Sequence, residues 1–294
     1  MGGRRFPSGS VLPPSLKKEE LRRGALTSGR KTEEELLEEL LRPYRVELHC
    51  HSVLSPCAEL EMGPRDIAAR AREQGIELLA LTDHNAMRNV PALEACAAEA
   101  GGPAVLFGME VQTAEDIHVV ALFPHEDAAR RFEAWLWTGL PPVPNRTESF
   151  GYQLVVGPDH AVLEEVETLL VQGVTFSVDE VLLRIREFEG LSVLAHLDRE
   201  AFSYWAVLGP VPEDLPVDAV ELSWRLSRDA AERWRKGLSG RTVVRSSDAH
   251  RLEDLDARRG CRMLLHSPTF AEVARALRGE QGRRVFWPWE GEGH

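Results

Sequence analysis

The sequence has few cysteines and no long apolar run. Its four cysteines, Cys50, Cys57, Cys96 and Cys261, form no CxxC pair. Such spacing argues against a disulfide framework and favours a reduced, intracellular protein. No apolar run approaches the roughly 18 residues of a membrane span, and the basic N-terminus, MGGRRFPSGS, lacks the apolar stretch of a secretory signal. We therefore expect a cytoplasmic protein with no membrane partner.

Basic residues are also in the minority. The 35 lysines and arginines are outnumbered by 47 aspartates and glutamates, which gives a formal net charge of −12. Because broad binding to a phosphate backbone needs basic surface, we expect no long duplex DNA partner. A small phosphorylated substrate held through a metal is not excluded by this charge.

The composition is otherwise that of a globular protein, with 43% hydrophobic and 28% charged residues. Residues 1–31, rich in Gly, Pro, Ser, Lys and Arg, are predicted to form a mobile basic tail. Thr32–Arg42 has the pattern of a short amphipathic helix with Thr32 as its N-cap, ended by Pro43. Together these form a first predicted segment, 1–43.

From residue 44 onward, apolar runs of strand length alternate with helical stretches. Gly63–Gln74 and Val90–Ala100 are predicted helices, and the repeated βα units predict an α/β fold with a parallel sheet, open or closed into a barrel. The predicted strands are 44–49, 76–82, 104–110, 117–123, 192–196, 217–222 and 242–248.

Residues 124–190 interrupt this alternation and are too long for one crossover helix. They are predicted to form an inserted cap subdomain, so that the barrel consists of 44–123 and 191–290. Within the cap we predict a proline-rich loop at 139–145, a strand at 152–156, and helices at His160–Val171 and Val178–Glu189.

Six of the ten histidines fall at or beside the ends of predicted strands, where α/β barrels carry their catalytic groups. Side chains two apart on an extended chain point the same way, so the imidazoles of His49 and His51 can reach one metal. Asp248 and His250 repeat this spacing. Nitrogen and oxygen ligands of this kind suit Zn²⁺, Mn²⁺ or Fe²⁺. The six histidines are His49, His51, His84, His118, His196 and His250.

Two acidic residues accompany these histidines. Asp83 and His84 are adjacent, so one is expected at a metal and the other hydrogen-bonded behind it, although Asp83 alone is also a common turn residue. Glu110 ends a buried strand, and we expect it either to cap a helix or to bridge two metals through its carboxylate. Four histidines lack paired spacing and are interpreted as structural or, at the terminus, uninvolved: His125, His160, His266 and His294.

The ordered set of motifs resembles the polymerase and histidinol phosphatase (PHP) family over residues 44 to about 265. Members of that family are metal-dependent phosphoesterases with a distorted (β/α)₇ barrel, so the resemblance implies this fold and two or three divalent metal ions. The motifs that carry the resemblance are HCH (49–51), TDHN (82–85), GME (108–110), IHVVALF (117–123), AHLD (195–198) and SSDAH (246–250).

The resemblance implies three metal sites in this chain. The implied ligands are His49, His51, Glu110 and Asp248 at the first, Glu110, His118 and His196 at the second, and His84, His250 and a residue of the loop 52–61 at the third. The family commonly has His or Asp at that loop position, where this chain has Cys57. A thiolate would favour zinc or iron over manganese. Alternatively Cys57 is a packed free thiol, the third site is weak or absent, and Glu59 and Glu61 are substitute oxygen ligands.

The leading hypothesis is an enzyme, a metal-dependent phosphoesterase that attacks its substrate with a hydroxide bridging two metals. The expected substrate is a small phosphomonoester or a nucleotide, such as a nucleoside bisphosphate or the 5′ end of a short oligonucleotide, or else histidinol phosphate. Asp83 or His250 is expected to transfer protons. Arg199, or secondly Arg225, is expected to clamp the phosphate unless it forms a surface salt bridge.

The predicted cap is expected to shape the substrate pocket, with Asn145, Phe150 and Tyr152 as candidate contacts to a base or sugar. Two other functions are considered. A non-catalytic, metal-binding regulatory module would keep the fold without turnover. A C–N hydrolase of the related barrels typically uses a carboxylated lysine, and no predicted strand ends in lysine.

Overall fold

The computed structural model describes residues 40–290, apart from residues 239 and 288. The predicted tail and nearly all of the predicted helix at 32–42 lie outside this part of the chain. Arg42, expected to close that helix, instead begins the first strand, where it pairs with Leu265 of a neighbouring strand. Pairing along a sheet supplies Arg42 with backbone partners that a helix end would lack.

Most strands of the described residues belong to one curved sheet. Its strand order is β11-β10-β1-β2-β3-β4-β7-β8-β9, and β5 and β6 form a separate hairpin. In chain order the strands are β1 (Arg42–Glu47), β2 (Leu78–Leu81), β3 (Ala104–Gln112), β4 (His118–Phe123), β5 (Leu154–Val156), β6 (Val162–Glu165), β7 (Leu191–Leu194), β8 (Ala219–Ser223), β9 (Val243–Ser246), β10 (Cys261–Leu265) and β11 (Arg284–Phe286).

The sheet closes almost completely into a barrel. Cys50, just after β1, forms a parallel bridge with Ala249, just after β9, and the backbone N–H of His51 donates to the Ala249 carbonyl at 2.9 Å. Seven described strands, β1 to β4 and β7 to β9, therefore surround one interior, while β10 and β11 extend the sheet beyond β1. This is the predicted distorted (β/α)₇ barrel.

The direction of β4 differs from the expected parallel order. It runs antiparallel to both neighbours, β3 and β7. A five-residue turn, closed by a hydrogen bond from the Thr113 N–H to the Ile117 carbonyl, connects β3 to β4. A connection this short can join only antiparallel strands. The beginning of β4 consequently lies at the same rim as the carboxyl ends of β3 and β7.

The helices of the described chain lie outside the barrel or close its ends. Pro64 starts the first one and Gly101, in the left-handed conformation, ends the second, which is the usual placement of these residues. The helices are α1 (Pro64–Glu73), α2 (Val90–Ala100), α3 (Glu126–Leu136), α4 (Thr147–Phe150), α5 (Val178–Glu187), α6 (Tyr204–Leu208), α7 (Arg228–Gly237) and α8 (Phe270–Arg278). None of these is long and apolar enough to cross a membrane.

Two hydrophobic cores follow from the alternation of side chains along each strand. On β2, Leu79 and Leu81 face outward and join the core beneath the helices, whereas Leu78 and Ala80 join the barrel interior. The interior narrows at Gly108 of β3, where an added Cβ would come within 3.0 Å of neighbouring atoms. The apolar interior ends at this level, and polar side chains fill the rim above it.

Within residues 124–190, the two ends pack on the barrel. Helix α3 contacts β3 and β4, and α5, opened by a capping box between Ser177 and Glu180, contacts β7. The predicted strand at 152–156 and the helix from Val178 are present as β5 and α5. The division of this segment into a separate subdomain stays a prediction.

The helix predicted at His160–Val171 is wrong. Val162–Glu165 forms strand β6, paired antiparallel with β5. The following residues are irregular, and their backbone is held by the buried amide of Gln153, which accepts from the Leu170 N–H at 2.7 Å and donates to the carbonyls of Val166 and Thr168 at 2.8 Å. These contacts satisfy the backbone groups that a helix would have paired internally.

Two buried asparagines fasten the hairpin region to the barrel rim. The Asn85 amide donates to the carbonyls of Leu170 and Gln172 at 2.7 and 2.9 Å. The Asn89 amide donates to the Leu154 carbonyl at 2.9 Å and accepts from the Val156 N–H at 2.9 Å. The segment is therefore fixed beside the mouth of the barrel.

Candidate metal centre

The polar cluster at the barrel mouth continues the interior face of the strands. On β3, Leu106 lies in the interior core, and Glu110 follows on the same face four residues later. On β8, Ala219 and Glu221 likewise lie on the same face, two residues apart. Because β4 runs the other way, its first residue, His118, arrives at this rim. Carboxylates and imidazoles from strands far apart in sequence thus meet above one apolar floor.

Glu110 is the hub of this cluster. Nitrogen atoms of five imidazoles lie within 3.4 Å of its carboxylate, three nearest to Oε1 and two nearest to Oε2. The Oε1 distances are 3.2 Å to His49 Nε2, 2.8 Å to His118 Nδ1 and 3.2 Å to His196 Nε2, and the Oε2 distances are 3.4 Å to His51 Nε2 and 3.1 Å to His84 Nδ1. The two oxygens of one carboxylate therefore face two different groups of nitrogen ligands.

Two of these histidines, Glu110 and a second carboxylate have the spacing of a metal's coordination sphere. His49 Nε2 and His51 Nε2 are 3.2 Å apart, and each lies 3.3 Å from Asp248 Oδ1. A tetrahedral ion with bonds of about 2.0–2.1 Å holds its ligand atoms about 3.3–3.4 Å from one another. We call His49, His51, Glu110 and Asp248 the inner set, because its dimensions fit a divalent ion.

Unpartnered nitrogens support the same interpretation. Among the described residues, the buried ring atoms His84 Nδ1, His118 Nε2 and His196 Nδ1 have no hydrogen-bond partner. Leaving a buried polar atom unsatisfied costs free energy. All three rings nevertheless touch Glu110. A bound cation would compensate this cost at His84, because its unpartnered Nδ1 is the ring atom that faces the Glu110 carboxylate, 3.1 Å from Oε2.

A second layer orients the two histidines of the inner set. Both carboxylate oxygens of Glu221 lie 3.2 Å from His49 Nδ1, so this nitrogen carries a proton and Nε2 is the ring atom available to a metal. Ser55 Oγ donates to Asp83 at 2.7 Å and therefore accepts from His51 Nδ1 at 3.0 Å. Both Nε2 atoms thus face the cluster as metal ligands require.

The pKa values of the cluster also favour metal binding. Burial, and the nearby His250, lower the pKa of His51 to about 4, and burial lowers that of His84 well below its ordinary range. Burial opposes ionisation of Glu110 and Asp248, but the surrounding imidazoles outweigh it and hold both pKa values well below normal. His49 differs: burial opposes its protonation, but the carboxylates of Glu221, Glu110 and Asp248 outweigh burial and raise its pKa well above its ordinary range, so an ion bound there would displace a proton. The neutral imidazoles of His51 and His84 beside ionised carboxylates form the donor set that divalent metals bind.

Backbone strain is concentrated at the same place. His196 and Asp248 have positive φ angles of 29° and 50°, in the left-handed region that non-glycine residues rarely adopt. Such conformations persist where the surrounding structure enforces them, and they are frequent at functional sites. At both positions the unusual turn immediately follows a strand and brings the side chain into the cluster.

The remaining predicted ligands lie at the rim. His250 is partly exposed, and its ring stacks on His51 with centroids 4.2 Å apart. His51, His84 and His250 bring ligand atoms within 4.8 Å of one another. Cys57 is exposed and belongs to no such group among the described residues. Glu59 and Glu61 are exposed as well, and Glu59 pairs with Arg251 at 2.8 Å.

The other predicted site residues are divided between the cluster and the surface. Asp83 is buried behind His51, as described above. The guanidinium of Arg199 donates to Asp248 Oδ2 and is partly exposed. Arg225 is exposed and lies over the ring of its neighbour Trp224. Arg199 is therefore the candidate cation beside the cluster, and Arg225 forms no contact with it.

The candidate contacts from the insertion lie near the site loop. Gly151 adopts a φ of 103°, and a Cβ there would collide with the Pro56 carbonyl, next to Cys57. Phe150 and Tyr152, on either side, are exposed. Asn145 instead donates to the Gly151 carbonyl at 2.9 Å. His125 caps helix α3, and neither His160 nor His266 joins the described cluster.

Sequence reasoning missed two buried acids, Glu47 and Glu221. Glu47 accepts hydrogen bonds from the N–H groups of His49 and Ser247 and thereby ties β1 to β9. Burial raises its pKa to about 7. The available signal was an acid inside an otherwise apolar strand pattern, which marks a side chain that needs a buried partner.

Comparison with known proteins places this geometry in a family. The PHP domain profile matches residues 47–236, well over half of the chain. No curated protein gives a significant match. Similar solved structures include the lesion-specific endonuclease Q of Pyrococcus furiosus, with a TM-score of 0.61 and 19% identity over 83% of this chain, which spans 58% of the endonuclease chain.

Two further structures show the same architecture. An amidohydrolase from Chromobacterium violaceum with bound sulfate has a TM-score of 0.51 and 18% identity, covering 85% of this chain and 100% of that one. A two-domain protein from Bacteroides vulgatus containing a PHP-like domain has a TM-score of 0.50 and 12% identity, covering 85% and 66%. These likenesses confirm the predicted fold, and the profile match establishes that the chain belongs to the PHP domain family.

Proposed function

We propose that this protein binds two or three divalent ions of zinc, manganese or iron and hydrolyses a small phosphomonoester or a nucleotide. The observation that carries the proposal is the single buried carboxylate of Glu110, surrounded by five imidazoles and completed by Asp248 at tetrahedral spacing. A structural core has no need for such a concentration of ligand atoms with unsatisfied nitrogens.

The residues fit the ions that the family uses. The inner set would hold one ion. Glu110, with His118 and His196, would hold a second, and His84 with His250 a third. Bound divalent ions supply a water of lowered pKa as nucleophile and neutralise charge on the phosphoryl oxygens.

The chain's own residues supply orientation and charge around the substrate. Glu221 and the Ser55–Asp83 pair fix the proton positions of His49 and His51. Asp83 therefore acts behind the ligands. Arg199 is placed to bind a non-bridging phosphate oxygen, at the cost of its contact with Asp248. Where the third site holds no ion, His250, partly exposed at the rim, would pass a proton to the leaving group.

The alternatives differ in what they would do with a phosphoester. A regulatory module would bind metals without turnover, and a histidinol-phosphate-type phosphatase would accept that substrate in preference to nucleotides. The endonuclease Q structures include one with a 27-mer duplex carrying an abasic lesion at the active site. We retain the expectation that a long duplex is a poor substrate here, because the chain carries a net charge of −12.

The test is phosphate or nucleotide release from a defined panel. It contains nucleoside 3′,5′-bisphosphates, nucleoside monophosphates, histidinol phosphate, short 5′-phosphorylated oligonucleotides and a duplex with one abasic site. Each substrate is incubated with Mn²⁺, Zn²⁺ or chelator, beside a His49→Ala variant. We expect metal-dependent release from nucleotide substrates that disappears in the variant. Metal binding without release from any substrate would reject the enzyme in favour of the regulatory module.

A further inference from the structure

One exposed aromatic side chain lies directly against the cluster. The ring of Phe202 stacks on His118 with centroids 4.9 Å apart and an interplanar angle of 27°. Phe202 is nevertheless 44% exposed. The ring therefore combines a stacking contact to the cluster with a surface open to solvent, and a molecule bound at the cluster can reach that surface.

The backbone holds Phe202 in this position against its own preference. Its φ is 58°, in the left-handed region where a bulky residue is a genuine outlier. Its carbonyl accepts from the His118 N–H at 3.0 Å. Ser203 Oγ donates to the Arg199 carbonyl at 2.7 Å and accepts from the Ala206 N–H at 3.1 Å. The turn that presents the ring is therefore rigid and strained, as functional turns often are.

The same turn carries the candidate phosphate-binding arginine. The Arg199 N–H donates to the His196 carbonyl at 2.9 Å, and its guanidinium reaches Asp248. A flat apolar ring and a cation thus project from one short turn, the ring against His118 and the cation against Asp248. A nucleotide presents the matching pair of groups, since its base stacks on aromatic rings and its phosphate binds arginine.

We propose that Phe202 is the stacking platform for the nucleobase of the substrate. This rests on the proposed phosphoesterase function and narrows its substrate to nucleotides with an unpaired base, either free nucleotides or the end of a single strand. A base inside a duplex has both faces stacked and would first have to leave the helix to occupy this ring. Phe202 thereby selects for the base, while the histidine cluster acts on the phosphate.

The experiment compares Phe202→Gly, which removes the ring and readily adopts the native φ, with Phe202→Trp, which restores a stacking surface. Trp205→Leu is the matched control, because Trp205 is also exposed but packs edge-to-face against Trp234 and not against the cluster. Binding is measured by the fluorescence quenching of a 2-aminopurine dinucleotide. Turnover is measured with that dinucleotide, with deoxyribose 5-phosphate and with histidinol phosphate.

We expect Phe202→Gly to weaken dinucleotide binding and raise its KM by about 10- to 100-fold, the usual contribution of one stacked base. In Phe202→Gly, the KM for deoxyribose 5-phosphate should change by less than about 3-fold. Phe202→Trp should bind the dinucleotide as the parent protein does, and Trp205→Leu should resemble the parent protein. An equal loss with the base-free substrate would make Phe202 a support for His118. An equal loss with histidinol phosphate would make it a general aromatic site. Either result overturns the proposal.

The proposed function fails separately from this inference. If the parent protein releases phosphate from no substrate while 2-aminopurine quenching still depends on Phe202, the phosphoesterase proposal is rejected and the base platform is retained. If the parent protein turns over deoxyribose 5-phosphate and dinucleotide equally well and Phe202→Gly changes neither, the platform is rejected and the phosphoesterase remains.

Discussion

The inner set and the rim of the cluster are built differently. His49, His51 and Glu110 are buried, the side chain of Asp248 is 8% exposed, and each histidine is held from behind by its own acid or hydroxyl. At the rim, His250 is partly exposed and its ring is held by the Asp248 carbonyl, with no buried acid or hydroxyl of the described residues hydrogen-bonded behind it, while Cys57 is exposed. Ligands already fixed in position lose little freedom when an ion binds. We therefore expect tight binding inside and exchangeable binding at the rim.

The strongest test of this difference is the loss of the shared carboxylate. Glu110→Gln keeps the shape of the side chain but removes the charge that five imidazoles face. We expect the inner ion to be lost and turnover to fall by about 1000-fold or more. Metal content after dialysis and kcat report this, with Glu187→Gln, an exposed acid on helix α5, as the matched control. Retention of both metal and turnover would show that Glu110 is not the hub.

A smaller effect is expected behind the inner set. Glu221→Gln leaves His49 in place but removes the carboxylate that fixes its tautomer. Loss of such an outer partner typically weakens metal affinity by about 10- to 100-fold. Competition with a chelating dye measures the affinity of the first ion. If Glu221→Gln binds that ion as tightly as the parent protein, then burial alone orders the inner set.

The acid below the inner set predicts a pH effect on stability. Burial raises the pKa of Glu47 from 4.5 to about 7. Between these values the folded protein keeps a proton that the unfolded chain has released, so the free energy of unfolding falls as the pH rises. Glu47→Gln lacks this proton. The destabilisation caused by the substitution should therefore shrink by about 1–3 kcal/mol between pH 5 and pH 8.

Urea unfolding in the presence of chelator at several pH values measures this change. The metal-free protein is the appropriate sample, because a bound ion would change the charge next to Glu47. A difference between Glu47→Gln and the parent protein that stays constant over this range would mean that Glu47 is ionised when buried.

The smallest effect is expected at the rim. Although Cys57 reaches the surface, surrounding protein atoms desolvate its thiol, and together with the nearby carboxylates of Glu110 and Asp248 they raise its pKa, so the thiolate that binds metal is disfavoured. We expect Cys57→Ser to change total metal content and kcat by less than about 3-fold. His250→Asn should change metal content more, because His250 shares a ligand group with His51 and His84. Loss of one equivalent of zinc in Cys57→Ser would instead make Cys57 a ligand.

Much of the site follows from local patterns in the sequence. His49 and His51, and again Asp248 and His250, are two residues apart after apolar runs, and such spacing turns both side chains to one side whatever the rest of the chain does. The ends of β3 and β7 can also be located in the sequence, because a short apolar run marks each buried strand and stops where the strand ends. The order of these motifs was enough to indicate the PHP family before any distance was known.

Other features depended on partners distant in sequence. The segment expected to be a helix at His160–Val171 contains a hairpin strand, because its backbone groups hydrogen-bond to β5 and to the amide of Gln153. In the sequence, Glu221 is a single charged residue in an apolar strand. Its role as hydrogen-bond partner of His49 depends on the position of β1 in the barrel. Periodicity records which side of a strand a residue occupies, and it does not record which strand lies next to it.

By itself, the sequence determined the family and the α/β class and predicted the candidate ligands at the strand ends, since these rest on spacing within short segments. Only the tertiary structure decided that β4 runs antiparallel, which brings His118 to the mouth of the barrel, and that Cys57 lies outside the ligand groups. It also placed the exposed ring of Phe202 on His118. Strand direction and rim contacts are set by non-local packing, which the local pattern of residues does not encode.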